Sequence, residues 1–277
     1  MIELLRDCLP SDGAWASCLA TGPGLGALPG HVRSTGTGHW WADRPLEPRA
    51  GAVSCAGYAV LGGDPGAVAP ETLAPLAHSY FAAPDGFLPV LGAAFERIVP
   101  WERMIWVQDD PEHDTPLSFP DVTVRRLTGR DTSAVRELGP DLAWITESWG
   151  GPCRLAASDH CWGAFRDGRL LSLACTYFLG ERYEDIAVAT VPAERGRGYA
   201  SACVRGLCAD IAVRGRIPSW TCSRHNEPSR RLAARAGFRL VREYVHYAVG
   251  APAARAGRVV ERLHAVTGQQ GSARVPS

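Results

Sequence analysis

The 277-residue chain predicts a mixed α/β fold, α+β in layout, in which helices cover a mixed sheet rather than alternating in a uniform doubly wound repeat. Three observations carry that expectation. The second half reads, in order, strand, helices, three strands, helix, strand, helix, strand. Asp167-Gly168 sits between two alternating runs as a two-residue hairpin signal, which makes those strands antiparallel neighbours. Ala200, Val204, Leu207, Cys208 and Ile211 recur at helical spacing, and that apolar stripe needs a sheet to face.

Along the first half, Gly22, Gly24, Gly26 and Gly30 mark loops, and AGAVSCAGYAVLGG (residues 50–63) reads as one or two strands. A helical segment containing Ala77, Tyr80 and Phe81 is expected next, then an element over residues 88–98. Residues 109–121, DDPEHDTPLSFPD, are acidic and carry Pro111, Pro116 and Pro120, a composition that resists both helix and central strand. This linker divides an accessory lobe, residues 1–117, from a domain over residues 118–250. Residues 251–277 read as one helix and a frayed tail.

In the second half, VTVRRL (residues 122–127) alternates as a strand, and Asp131 caps the short helix after it. A helix over residues 142–149 is closed by Gly150 and Gly151. HCWGAF and LLSLACTYFL form the hairpin strands, and EDIAVATV (residues 184–191) is a strand broken by Pro192. SWTCS (residues 219–223) is a short strand. Pro228 opens a helix that Gly237 stops, and FRLVREYVHYAV closes the sheet.

Composition removes several chemistries. At ~150 residues per domain the length suits two domains, and 29 acidic residues cancel 29 basic ones, so no overall field draws the chain to nucleic acid or to an anionic membrane. All 29 basic residues are arginine. Without lysine there is no Walker-type phosphate lysine, no pyridoxal Schiff base and no kinase strand lysine. Nine cysteines, scattered with no C-x-x-C pair, suggest reduced thiols, and no metal site is expected. No leader and no apolar run of ~18 residues is evident, which points to a soluble, cytoplasmic protein.

The chemistry concentrates at residues 192–200, Pro-Ala-Glu-Arg-Gly-Arg-Gly-Tyr-Ala, between a strand and a helix. Two glycines let the backbone approach a ligand closely, and the helix start aims unpaired N–H groups, worth about half a positive charge, at an anion. A dinucleotide fingerprint would need a third glycine or alanine at Ser201 and an acid ~20 residues on, and neither is clearly present.

Arg195-x-x-Gly198-x-Ala200 resembles the R/Q-x-x-G-x-G/A motif of the GNAT acyltransferase superfamily, and Asn226-Glu-Pro-Ser229-x-x-Leu232-Ala-x-x-x-Gly237-Phe238 is similar to that family's second motif. The resemblance covers residues 122–249, and Thr190 to Ala200 with Trp220 looks most like the zwittermicin-resistance-like subgroup. It implies a GNAT-type, mostly antiparallel sheet flanked by helices, with the first lobe a degenerate GNAT-like domain. It also implies acetyl-CoA or another acyl-CoA as co-substrate. The backbone of Val188, Ala189 and Thr190 would pair with the pantetheine arm as an added strand. Arg195, Gly196, Arg197, Gly198, Tyr199, Ala200 and Ser201 would cradle the pyrophosphate, and Asn226 would contact the arm.

Amine acylation needs a neutral nucleophile, whereas an alkyl ammonium of pKa ~10 is protonated at neutral pH, so a base must take the proton. Glu184 and Asp185 are the nearest carboxylates, and because adjacent strand residues face opposite ways, only one can serve. The family tyrosine that protonates the leaving thiolate is replaced by Ala233; either Thr221, Cys222, His225 or Tyr199 substitutes for it, or the thiolate leaves with help from the helix dipole and solvent. The expected function is acetyl transfer to a primary amine of a small molecule, in antibiotic resistance or secondary metabolism. Two alternatives stand beside it: a donor presented by an acyl carrier protein, and a non-catalytic acyl-CoA sensor.

Overall fold

A computed structural model of the chain describes residues 5–6, 19, 21–108 and 119–253. Its strands are β1 (Leu5–Arg6), β2 (His39–Ala42), β3 (Ala50–Cys55), β4 (Tyr58–Gly63), β5 (Tyr80–Ala82), β6 (Ile98–Val107), β7 (Thr123–Arg126), β8 (Cys161–Arg166), β9 (Arg169–Leu179), β10 (Tyr183–Thr190), β11 (Ile217–Ser223) and β12 (Arg239–Val249). The helices are α1 (Leu28–Thr35), α2 (Leu88–Ala94), α3 (Thr132–Arg136), α4 (Pro152–Ala156), α5 (Tyr199–Val213) and α6 (Glu227–Arg235).

All twelve strands share one sheet in the order β1-β2-β3-β4-β5-β12-β6-β11-β10-β9-β8-β7. Only β4 with β5 and β10 with β11 run parallel; every other pairing is antiparallel. The expected boundary between lobe and domain is therefore crossed by the sheet. β6, from the first half, lies between β11 and β12 of the second, with Arg103 opposite Ser223 on one side and Tyr244 on the other.

Each face of the sheet carries two apolar clusters. On one face α5 and α6 pack through Leu207, Ile211 and Ala233 against Ile186, Trp220 and Cys222, while α2 covers Ala52, Leu61 and Phe81 of the first half. On the other face α3, α4 and the 3-10 helix Pro140–Trp149 cover β8 to β10, and α1 lies over β2 to β4 and Phe178.

Local signals account for much of this. Asp167 (φ 50°) and Gly168 (φ 77°) make the expected left-handed turn between β8 and β9, and Ala56-Gly57 turns β3 into β4 with the same signs. Asn226 caps α6, its Oδ1 accepting from the Ser229 N–H at 3.1 Å. Several expectations are corrected. The segment around Ala77 is not helical: Pro75 sits in a 3-10 helix over Pro70–Leu76, and Tyr80 and Phe81 form strand β5. Gly30 lies inside α1, not in a loop, because the helix touches the sheet there and a side chain would meet the Gly180 Cα at 3.0 Å. Pro140–Trp149 winds as a 3-10 helix and ends at left-handed Gly150. Asp131 acts through a capping box with Thr128. Most of the expected linker and the expected C-terminal helix lie outside the described residues.

Candidate active site

β10 and β11 are paired from Tyr183↔Ile217 to Ile186↔Trp220, and no further. On its other side β10 stays paired with β9 through Thr190↔Ser172. Val188, Ala189 and Thr190 thus lie on a strand whose β11 edge carries no ladder, so an extended ligand can supply one. The Thr190 hydroxyl is held by Ser172 at 2.8 Å, and its carbonyl receives Arg195 Nε at 3.4 Å.

Beyond this open edge the chain turns through exposed Arg195, Gly196, Arg197 and Gly198 into buried Tyr199 and half-buried Ala200 and Ser201. Gly196 (φ 78°) and Gly198 (φ 86°) are both left-handed, and nothing stands within 4 Å of a Cβ at Gly196. Gly198 precedes the fifteen-residue α5 with no side-chain cap. The first N–H groups of that helix have no intrahelical acceptor. Residues and geometry fit a pyrophosphate here. Arg197 and Arg166 both reach Glu194, at 3.4 and 3.2 Å, which anchors the loop. Asn226, in contrast, spends its side-chain oxygen on the α6 cap.

The two carboxylates part company as strand alternation requires. Glu184 turns to the α5 side and is fully buried. Arg214 grips it bidentately at 2.8 and 2.8 Å, Arg216 donates at 3.3 Å and Thr176 Oγ1 at 2.5 Å, with His160 Nδ1 at 3.5 Å, beyond good hydrogen-bonding distance. Burial alone would raise its pKa, but the contacts from His160, Arg214 and Thr176 outweigh it and hold the group at about 2. Both oxygens are engaged by cations, so of the two expected candidates this one has no capacity to collect a proton near neutrality.

Asp185 turns to the opposite face, at the last rungs before β10 and β11 separate. It is 5% exposed, and its Oδ1 accepts from Ser219 Oγ and Thr221 Oγ1, each at 3.0 Å. Burial pushes its pKa up to about 7, against the opposing pull of the two hydroxyls and of the nearby Arg103 charge.

The first half closes over this carboxylate. Gly24 donates its N–H to Ser219 Oγ at 3.1 Å, and with φ +70° its Cβ would stand 2.8 Å from Thr221 Oγ1 and 3.1 Å from Ile105. Gly24→Ala should therefore cost about 2 kcal/mol, from left-handed strain plus the collision. The melting temperature should drop by roughly 5 °C, and acyl transfer should fall with it as the hydroxyl pair shifts. A calorimetric scan beside a turnover assay checks both.

The substitutes for the family tyrosine are placed less usefully. Ala233 is fully buried under Phe238, where it has nothing to donate. The Tyr199 hydroxyl accepts from Arg166 at 2.7 Å, His225 is exposed beside Glu102, and the buried Cys222 thiol is pushed up. Thr221 already donates to Asp185. The face that bears Asp185 also bears residues that sequence reasoning missed: Arg103 on β6 and Tyr244 and His246 on β12, with Tyr58 beside them. The signal was present in EYVHY, where a strand of period two puts Tyr244 and His246 on one face. Among the described residues no group of three or more His, Cys, Asp or Glu is placed to hold a metal ion.

Comparison with known proteins agrees with this layout. An uncharacterised N-acetyltransferase of Streptomyces virginiae, named for its place 5′ of mutA, is 54% identical over 215 residues, 77% of this chain and 90% of its own. A GCN5-related N-acetyltransferase-like protein of Streptococcus suis superposes with a TM-score of 0.60 at 19% identity, over 77% of this chain and 88% of its own. A tandem GNAT protein from the clavulanic acid biosynthesis pathway gives 0.54 at 16% identity, over 88% and 98%. Both likenesses of fold extend well into the first half. Residues 122–247, which hold the open strand edge, the glycine turn and both carboxylates, match the family described as GNAT acetyltransferase, and with the Streptomyces virginiae relative this establishes that the chain belongs to that family of N-acetyltransferases.

Proposed function

We propose that the protein transfers an acetyl group from acetyl-CoA to a primary amine of a small molecule, by direct attack and with Asp185 as the base. The observation that carries this reading is the meeting, at one point in the sheet, of an unpaired β10 edge, a bare helix start and a buried carboxylate with a pKa of about 7. When bound, the coenzyme supplies an activated thioester. Val188, Ala189 and Thr190 would hold its pantetheine arm through the backbone, and the turn from Arg195 to Ser201 its pyrophosphate. Arginine-only basicity fits a GC-rich genome and so a role in secondary metabolism or antibiotic resistance.

The protein's own groups do the proton work. Ser219 and Thr221 fix one oxygen of Asp185, which leaves the other free to accept a proton from the incoming ammonium. Burial keeps that carboxylate basic enough to take the proton, and the neighbouring hydroxyls keep it from being wholly protonated at neutral pH. The neutral amine then adds to the thioester carbonyl, the C–S bond breaks, and coenzyme A leaves as a thiolate that takes its proton from solvent, so no acyl group need rest on Cys222.

Gly198→Val tests the loop. Among the described residues a Cβ here would meet the Phe119 ring at 3.6 Å, but a valine must leave φ +86°, and the bare N–H groups turn away with it. Calorimetric affinity for acetyl-CoA should fall tenfold or more. Unchanged affinity removes this turn from the mechanism. Screening amine pools for acetylated product by mass spectrometry tests the transfer itself; tight coenzyme binding with no product would point to a sensor, and transfer only from a loaded carrier protein to the other donor.

A further inference from the structure

Arg103 is 8% exposed, and its guanidinium sits over the Trp101 ring at 4.2 Å. Its Nε has no hydrogen-bond partner, and among the described residues no carboxylate lies within ion-pair distance of it. A buried guanidinium without an anion is costly, because its desolvation is not offset. Around it stand other unsatisfied polar atoms. Both ring nitrogens of fully buried His246 lack partners, and the Tyr244 hydroxyl lies against the guanidinium without a completed hydrogen bond. Each such buried atom is destabilising if left so. Tyr58 and Tyr244 close on the His246 ring at 6.1 and 4.8 Å, so these groups form one cluster.

That cluster stands on the same face of the sheet as Asp185. Arg103 is level with Ser223 and Asp185 with Ser219, two strands away on the same face. At ~3.3 Å per residue and ~4.8 Å per strand their Cα atoms are about 16 Å apart. The Arg103 charge is felt at Asp185, yet the two make no ion pair. A cation and an anion held on one face without pairing are complementary to a short molecule with one charge at each end.

Resting on the acyl-transfer reading above, we infer that the acceptor is an amino acid-like zwitterion. Its carboxylate would lie on Arg103 with Tyr244 and His246, and its amine on the free oxygen of Asp185. His246, held neutral by burial, can offer one N–H to the anion, and Tyr244 an O–H. A neutral or cationic amine would leave the guanidinium orphaned, and so would bind more weakly.

Calorimetry on the protein loaded with coenzyme A, using a panel of simple α- and ω-amino acids and their carboxamides, tests the inference apart from turnover. At least one amino acid should bind ten times or more tighter than its amide. Arg103→Gln should abolish that preference, and Arg103→Lys should retain part of it, with near-UV circular dichroism confirming that both variants fold. Equal binding of acid and amide throughout the panel, or a preference that survives in Arg103→Gln, overturns the inference. Acetylation of the preferred amino acid is then assayed separately. Binding through Arg103 with no transfer leaves this site standing and sinks the acyl-transfer reading; transfer confined to uncharged amines does the reverse.

Discussion

Asp185→Asn should lower kcat/KM for acetyl transfer by about 10²–10⁴-fold, the range a positioned base contributes, while coenzyme affinity changes little. In the native enzyme log kcat/KM should rise with unit slope up to about pH 7 and then level, because a base at Asp185 would work only when ionised and its pKa lies near 7. The variant should lose that limb and not merely scale it down. The same substitution should stabilise the fold. In the unfolded chain this carboxyl ionises near its usual 3.8, whereas in the folded chain it ionises near 7. The folded state thus binds the proton more tightly between those values, and native stability falls as pH climbs from about 4 to 7. Asparagine has no charge to desolvate. Its advantage in melting temperature should be absent near pH 4, grow to pH 7 and stay constant above. An activity loss with no pH-dependent gain in stability would mean the carboxylate is not buried as described.

Glu184→Gln should act in the opposite sense on stability and leave the pH profile of turnover alone. It leaves Arg214 and Arg216 facing a neutral amide that accepts with a single oxygen, where the carboxylate accepted with both. Breaking a buried pair of this kind costs about 3–5 kcal/mol, so urea unfolding should move to a markedly lower midpoint. The folded pKa of about 2 lies below the usual 4.5, so this stabilisation is fully present above about pH 4.5 and is lost as pH falls through 2. The variant and the native protein should therefore converge in acid. If the acid limb of the activity profile followed Glu184 instead, the assignment of the base would be reversed.

The second half was legible because its signals are local. Asp167-Gly168 sets the hairpin, Pro192 ends β10, and Asn226 with Pro228 starts α6, each within a few residues of what it controls. The glycine turn was legible for the same reason. In the first half the deciding contacts are distant. β5 is three residues long, pairs with β4 in parallel and β12 in antiparallel sense, and carries no period of its own. Glu184 and Asp185 could be assigned to opposite faces from strand alternation, but not to roles. The separation rests on Arg214 and Arg216 below the sheet and on Ser219, Thr221 and Gly24 above it. Arg103 stayed hidden because its neighbours Tyr244 and Ser223 are brought to it only by the interleaving of β6.

That interleaving constrains how the polypeptide is born. The bond from Trp101 Nε1 to Ser223 Oγ joins positions 122 residues apart, so a nascent chain leaving the ribosome carries β6 with both of its edges unsatisfied until most of the remainder has been made. Such a strand invites pairing with a neighbour on the same polysome. Ribosome-bound intermediates should depend on holdase chaperones, and either half expressed alone should be recovered as aggregate, whereas the two halves co-expressed from separate messages should rescue one another.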